Sequence, residues 1–565
     1  MSTTAARPTR SVADAIGETL AQTGVIDAFG VLGSGNLIVT NALCSRGARF
    51  HPARHEGGAI CMADGYARVS GRVGICSVHQ GPGLTNTVTG LTEAVKSRTP
   101  LLVLAGESPV AALNSNFRID QTGLAESVGA GHERIQSPET AADDARRAYD
   151  RAIAERRPIV LMLPIDVQPQ PPAADQAPDT PSPRADRAPA FPGATEPGPT
   201  EIAAVADLLQ TAHRPVIIAG RGAVLARARD ELERLGEMTG ALLATSAPAN
   251  GLFAGLPYTL GISGGFASPF AAELLPTADV VLVAGASVNH WTTRHGRLIS
   301  TEATLAQIDS EPEAFGRHRP ANLTITGDVR AAARLLIQEL ERRGHRATGA
   351  RTPQMAAQIA ANSWRQDPYD DACTETTIDP RTLTIALEDL LPKDKAVAVD
   401  SGHFLGWPSM FLTVPDARAW VFPNGFQAVG LGLGNAIGAA IARPDRPTVA
   451  AIGDGGAFMA LAEIETAVRA QLKLLVLIYD DSAYAAEVHH FAPMGHDVTR
   501  VQFPEADLAA IARAAGAHAK TVRATEDLDA VEDWLAEATP RPLVLDAKVN
   551  PTICADWLAE AFRGG

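Results

Sequence analysis

Two aspartates, Asp454 and Asp481, each follow an apolar run. Residues 448–452 read TVAAI and break into Gly453-Asp454-Gly455-Gly456, while residues 474–479 read LLVLIY and end in Asp480-Asp481. A helical pattern fills the interval. Strand, glycine turn, helix, strand and acidic turn is the order of a parallel pair joined by a crossover, which sets both strand ends on one edge of a sheet. Asp454 and Asp481 then stand side by side at the C-terminal edge, where open α/β sheets bind ligands. The glycines let backbone approach a ligand closely, and the following helix offers its N-terminus to an anion. Two carboxylates beside such a turn suit a hard divalent cation, magnesium, holding a diphosphate. Taken alone, the run is also what a doubly wound sheet with a glycine turn and two solvated aspartates presents.

A second cluster lies near the other end of the chain. It begins RHEGGAICMADGYAR at Arg54 and closes on Gln80-Gly81-Pro82-Gly83, with Asn86 just beyond. Glu56 stands at the head of a helical pattern, where a plain surface acid is favoured by the helix dipole. Gly57, Gly58 and Ala59 follow it and permit close packing, or a flat ligand against the backbone. Residues 80–83 follow an apolar run, as a loop lining a ligand would.

The elements that must carry these clusters repeat along the chain. Up to residue 166, helical patterns alternate with the apolar runs 73–78, 100–107 and 158–166. Strands separated by helices indicate a parallel sheet. Residues 167–200 are rich in Pro, Ala and Asp and read as a linker. A second α/β segment covers 201–342, with strands at 215–220 and 279–285 and another ending in Asp309. A polar linker, 343–375, separates it from a third segment, 376–565, with strands at 396–400, 448–452, 474–479 and 542–549. The expected fold is three α/β domains, each a mostly parallel sheet flanked by helices.

Composition bounds the rest. A chain of 565 residues is too long for one core. With 49 basic and 64 acidic residues, the formal charge is −15, which argues against nucleic acid or an anionic membrane as partner. Five cysteines without metal-ligand spacing read as free thiols in a reducing compartment. The first twenty residues lack the apolar core of a signal peptide, and no apolar run reaches spanning length. A cytoplasmic protein is the expectation.

Asp454 and Asp481 are 27 residues apart. The run resembles the diphosphate-binding motif of thiamine diphosphate enzymes, GDG followed at that interval by NN or ND. The resemblance implies magnesium ligands at Asp454, Asp481 and the carbonyl of Ala483. The sequence departs from the pattern in reading Asp480-Asp481 for the usual asparagines, and Ala485 for a common glycine after Tyr484. The N-terminal cluster resembles the pyrimidine-binding domain of the same family, closest to the acetolactate synthase and benzaldehyde lyase branch, where RHE, ADGYAR and GPG recur in this order. Glu56 takes the place of the family's activating glutamate. A carboxylic acid in a dry pocket donates a hydrogen bond to the aminopyrimidine and shifts its tautomer, so that the ring can deprotonate the thiazolium carbon. The cofactor then acts as the electron sink.

The resemblance implies further site residues. Gly33-Ser34-Gly35-Asn36 is similar to the loop that faces the thiazolium, without the acid that pyruvate decarboxylase has at Ser34 or the histidine that benzaldehyde lyase has near Gly35. Gln121 resembles the glutamine of acetolactate synthases; as an isolated residue it is an ordinary polar loop side chain. In the run 425–440, Val429 falls where an apolar residue props the cofactor into its bent shape, although such glycines also serve tight helix–sheet contacts. Asp400-Ser401-Gly402-His403 ends a strand, a position that faces His403 toward the cofactor, although a mid-loop histidine is also an ordinary surface residue. Glu487 matches the acid that assists proton transfer in pyruvate decarboxylases, and His490 shares its helix face at i, i+3.

The sequence reading is therefore a thiamine diphosphate and magnesium enzyme that decarboxylates a 2-oxo acid and transfers the fragment to an acceptor carbonyl. Simple 2-oxo acid decarboxylation and cleavage of a 2-hydroxy ketone are the alternatives, with an aldehyde as a further substrate type. A non-catalytic nucleotide-binding homologue is the alternative from another class. No flavin is expected, because the acetolactate synthase stretch after Gly285-Ala286 is replaced by Ser287-Val288-Asn289-His290. The family implies a homodimer as the minimum active unit, assembled as a homotetramer.

Overall fold

The computed structural model describes residues 10–172 and 196–563. Most of the Pro-rich linker therefore lies outside the described residues. Among the described residues, three six-stranded sheets follow one another, and every strand pairing within them is parallel.

The first sheet contains β1 (Asp27–Gly30), β2 (Arg49–Pro52), β3 (Gly74–Val78), β4 (Leu101–Glu107), β5 (Gly131–Arg134) and β6 (Ile159–Pro164), in the order β2-β1-β3-β4-β6-β5. The second contains β7 (Pro215–Ala219), β8 (Leu242–Thr245), β9 (Thr259–Ile262), β10 (Val280–Ala284), β11 (Thr304–Asp309) and β12 (Leu323–Thr326), ordered β12-β11-β10-β7-β8-β9. The third contains β13 (Ala396–Val399), β14 (Trp420–Val421), β15 (Thr448–Gly453), β16 (Leu474–Asp480), β17 (His518–Val522) and β18 (Leu543–Lys548), ordered β14-β13-β15-β16-β18-β17. Central strands such as β4, β6, β15 and β16 are apolar along nearly their whole length because helices cover both sheet faces.

The first and third sheets share a core. The helix Glu56–Ser70 packs against Gly432–Ala442, and one continuous apolar cluster runs from Ile60 and Met62 through Ile437 to Val476 and Ile478. The contact depends on glycine. A Cβ at Gly438 would stand 2.0 Å from the Met62 carbonyl oxygen, and one at Gly434 would stand 2.7 Å from Cys61 Cβ. Part of the glycine-rich run 425–440 thus serves helix packing, while its N-terminal part reaches the candidate site.

Within 343–375 the chain forms the helix Pro353–Ala361, capped where the Thr352 side chain accepts from the Met355 N–H. Beyond it, the Trp364 indole N–H donates to the Phe266 carbonyl at 2.7 Å. Cys44, Cys61, Cys76, Cys373 and Cys554 are free thiols. No helix among the described residues is long and apolar enough to cross a membrane.

Candidate active site

β15 and β16 pair in parallel with Gly453 opposite Tyr479, so Asp454 and Asp480-Asp481 leave the sheet on the same edge. Asp454 opens the helix Asp454–Ala460 and is buried. Burial raises its carboxyl to about 7, and the neighbouring Asp480 charge pushes in the same direction. Asp481 is raised well above the usual carboxylate range by burial and then by Asp454. Asp454 opposes the ionisation of Asp481, and two carboxyl groups so placed form a donor set that a divalent cation relieves, so these residues fit magnesium.

The glycines form a cradle. A Cβ at Gly456 would stand 2.4 Å from Asp400 Oδ2 and one at Gly455 would stand 2.7 Å from the Tyr484 ring. The turn after Asp481 is pinned on both sides of Ala483: Phe503 N donates to the Ser482 carbonyl at 2.8 Å, and Tyr484 N donates to the Val501 carbonyl at 2.9 Å. Asp481 Oδ1 also accepts from Ala483 N at 3.2 Å.

Asp480 does not add its charge to this pair unbalanced. Its Oδ2 meets Lys548 Nζ at 2.5 Å, and its Oδ1 accepts from the Ser482 N–H and hydroxyl at 2.9 and 3.1 Å. Lys548 is buried, reaches the Ala506 carbonyl at 2.6 Å and lies 3.1 Å from Asp546. Sequence reading gave this lysine no role, because it is 68 residues from Asp480 along the chain.

Asp400 has a comparable positioning task. It is buried, and its carboxylate accepts from the N–H groups of Ser401, Gly430 and Leu431. Burial raises its carboxyl to about 6. These bonds hold the loop that presents Val429, which is 39% exposed and lines the cavity next to Gly456. That cavity, of about 1060 Å³, is also lined by Asp454, Asp481, Ala483, Tyr484, Glu487 and His403, and it extends to loops of the second sheet.

His403 is buried at the cavity wall, its Nε2 accepting from the Ala555 N–H at 2.9 Å. Burial depresses its pKa to about 3, so the ring is neutral. Glu487 and His490 share the helix Ala485–Phe491. Glu487 lines the cavity, whereas His490 stacks on Phe562 with ring centroids 3.8 Å apart. His489 is the helix residue that meets His403, at 4.5 Å between centroids.

The N-terminal cluster gathers at the ends of β1 and β3. Glu56 begins its helix, and its Oε2 accepts from Asn86 Nδ2 at 2.9 Å. A Cβ at Gly83 would lie 3.5 Å from Glu56 Oε1, and one at Gly81 would lie 2.5 Å from the Phe117 carbonyl. Pro82 is exposed beside them. Gln121 is buried as a strut: its Oε1 accepts from Gly81 N at 3.0 Å, and its Nε2 donates to the Gly106 carbonyl at 3.1 Å. Asn36 is likewise structural in its contacts, accepting from Gly33 N and donating to Ser77 Oγ and the Val31 carbonyl. Gly35 leaves room for Gln80, whose Oε1 would stand 1.6 Å from an added Cβ.

Ser34 is exposed, and its hydroxyl lies 3.2 Å from His79 Nε2. His79 packs against Phe117 with centroids 5.0 Å apart. Sequence reasoning passed over this histidine. Its signal was its place at the end of a strand, directly before Gln80-Gly81-Pro82-Gly83.

Among the described residues, Glu56, Ser34 and His79 do not line the cavity that holds Asp454 and Asp481. Each half is instead bordered by exposed apolar side chains, Leu37 and Ile38 in the first and Phe458 and Met459 in the second.

Three family descriptions match the chain: thiamine pyrophosphate enzyme N-terminal TPP binding domain over 10–127, central domain over 202–336, and C-terminal TPP binding domain over 400–547. The chain is 30% identical over 502 residues to a sulfoacetaldehyde acetyltransferase of Alcaligenes xylosoxydans xylosoxydans, covering 84% of this chain and 81% of that protein. It is 30% identical over 538 residues to a probable 2-ketoarginine decarboxylase of Pseudomonas aeruginosa, covering 93% and 91%. A probable acetolactate synthase large subunit of Methanocaldococcus jannaschii is 27% identical, with 95% and 92% covered. The fold is that of a Rhodococcus jostii thiamine diphosphate-dependent 4-hydroxybenzoylformate decarboxylase, with a TM-score of 0.80 at 20% identity over 96% of this chain and 99% of that one. With the paired aspartates, the glycine cradle and all three domain matches in place, the chain belongs to the thiamine pyrophosphate enzyme family.

Proposed function

We propose that the chain decarboxylates a 2-oxo acid and transfers the resulting fragment to an acceptor carbonyl, using thiamine diphosphate and magnesium. The observation that carries the cofactor reading is the pairing of buried Asp454 with half-buried Asp481 above the Gly453–Gly456 cradle. Asp454, Asp481 and the Ala483 carbonyl would hold the cation, and the cradle the diphosphate. Val429 would support the ring system from below, and Glu56, held by Asn86, would face the pyrimidine. Thiamine diphosphate supplies an electron sink for bonds next to a carbonyl.

Two of the chain's own groups would exchange protons with the substrate. Glu487 and neutral His403 line the cavity beside the aspartates. Transfer to an acceptor is supported by relatives named acetyltransferase and acetolactate synthase. A second reading, simple decarboxylation, draws support from Ser34 and His79, whose contact offers a proton-carrying pair in the pyrimidine half.

The two halves are proposed to meet across a homodimer, assembled further as a tetramer, with exposed Leu37, Ile38, Phe458 and Met459 covered in the assembly. No flavin is proposed. Gly220, Gly222 and Gly285 are used in backbone packing, since a Cβ at Gly220 would stand 2.3 Å from the Gly285 carbonyl oxygen. Because Ser287-Val288-Asn289-His290 replaces the acetolactate synthase stretch, the purified protein is expected to be colourless.

The test is direct. Purified protein is assayed for bound thiamine diphosphate, then incubated with a panel of 2-oxo acids with and without aldehyde or 2-oxo acid acceptors, and products are identified by mass. Carbon dioxide with a lengthened product supports transfer; aldehyde alone supports the second reading. A protein that binds no thiamine diphosphate at saturating magnesium would sink both.

A further inference from the structure

The segment after β18 brings Cys554 against two imidazoles on the far side of the cavity wall. His403 lies just beyond β13, and His489 lies on the helix Ala485–Phe491. Their ring centroids are 4.5 Å apart. Ala555 N donates to His403 Nε2 at 2.9 Å, which holds the preceding residue, Cys554, beside that ring. One ring nitrogen from each histidine and the Cys554 sulfur all lie within 4.8 Å of one another.

A second observation points to a ligand. His489 Nε2 is buried and has no hydrogen-bond partner among the described residues. A buried polar atom without a partner is rare in folded proteins and marks a place where a water or an ion belongs. Burial holds His403 neutral and shifts His489 toward the neutral form, the form that ligates metals. Neither His489 nor Cys554 lines the cavity of Asp454 and Asp481. The donors also differ in kind: oxygen from carboxylates there, nitrogen and sulfur here, which favours a softer cation.

We propose that His403, His489 and Cys554 form a three-ligand zinc site, with a water in the fourth position, that ties the helix carrying Glu487 to the C-terminal segment. Zinc bonds of about 2.0–2.3 Å bring ligand atoms to roughly 3.5 Å of one another. Exposed Cys554 can supply most of that closure by rotating its side chain. His403 contributes Nε2 by exchanging the Ala555 N–H for the metal, which leaves Nδ1 to carry the ring proton. As the zinc–sulfur bond forms, the Cys554 S–H bond breaks and one proton leaves to solvent; nothing is oxidised or reduced.

The test uses the purified full chain in excess magnesium, titrated with Co²⁺ as an optical probe. A thiolate-to-cobalt ultraviolet band at one equivalent per chain is expected, lost on adding one equivalent of zinc. Carboxylate ligation at Asp454 and Asp481 gives no such band. Cys554→Ser and His489→Gln should each abolish it, while Cys373→Ser, at the other exposed thiol, should leave it intact. Zinc should also slow alkylation of Cys554, read by peptide mass. Absence of the band at saturating cobalt, its survival in Cys554→Ser, or alkylation of Cys554 that zinc does not slow would overturn the proposal.

Discussion

Lys548 Nζ meets Asp480 Oδ2 at 2.5 Å, across β16 and β18, directly beneath the turn that presents Asp481. The pair is buried and explains how the chain accommodates an aspartate where related motifs have asparagine. The lysine offsets part of the added charge, and the second Asp480 oxygen accepts the hydrogen bonds from Ser482 that shape the turn.

Lys548→Met should leave Asp480 buried without its counter-charge. Breaking a buried pair on one side costs about 3–5 kcal/mol, read as a lowered Tm. Magnesium-dependent binding of thiamine diphosphate, measured by calorimetry, should weaken in parallel. Combining it with Asp480→Asn should recover only the Asp480 share of both losses, since buried Asp546, 3.1 Å from the lysine, still lacks its counter-charge. A double variant as weak as Lys548→Met alone would show that the lysine acts through Asp546 or the Ala506 carbonyl rather than through Asp480.

The raised carboxyl of Asp454 makes the cofactor-free protein sensitive to pH in a definite direction. Unfolded, this group releases its proton near 3.8; folded, it holds it to about 7. The folded state binds more protons in that window, so its contribution to stability is full below the window and is lost as pH rises through it. Asp481 acts in the same sense. Scanning calorimetry at about pH 5 and about pH 8 should show a smaller pH-dependent fall in Tm for Asp454→Asn than for the wild type. Adding magnesium and thiamine diphosphate should raise the wild-type Tm most at the higher pH, because the cation binds the ionised form.

Gly456→Ala tests the cradle through Asp400. The added Cβ would stand 2.4 Å from Asp400 Oδ2, and that carboxylate holds the Gly430 and Leu431 N–H groups. Overpacking of this kind costs about 1–3 kcal/mol. The expected result is a lower Tm together with a raised thiamine diphosphate Kd, because the Val429 loop shifts with its anchor. A Kd equal to that of the wild type would separate Asp400 from the cofactor.

Glu56 and Asp454 belong to different halves, and subunit mixing asks whether those halves pair between chains. Glu56→Ala and Asp454→Ala should each be inactive. If every site takes Glu56 from one chain and Asp454 from the other, a mixed dimer has one doubly defective site and one intact site. Random mixing of subunits should then restore roughly a quarter of wild-type activity. No recovery in proven mixed dimers would place both residues in a single chain's site.

The sequence by itself determined the parallel α/β class and the central strands of each sheet, but not short strands such as β2, β5, β9, β14 and β17, whose runs are too short or not apolar enough to mark them. The runs at 448–452 and 474–479 are uniformly apolar because β15 and β16 are covered on both faces, so local composition carries the strand signal. Gly453-Asp454-Gly455-Gly456 and Asp481 were legible for the same reason: a tight turn at a strand end needs particular residues next to one another. What tertiary structure alone decided is which side chains meet across distance. Lys548 reaches Asp480, His79 reaches Ser34, and Asp400 anchors the Val429 loop, each through contacts 30 or more residues apart in sequence. It also drew the two imidazoles of one helix apart, turning His489 to His403 and His490 to Phe562. Periodicity gives a residue's face on its own helix, but the partner of that face is set by how separate elements pack, and packing is a property of the whole chain.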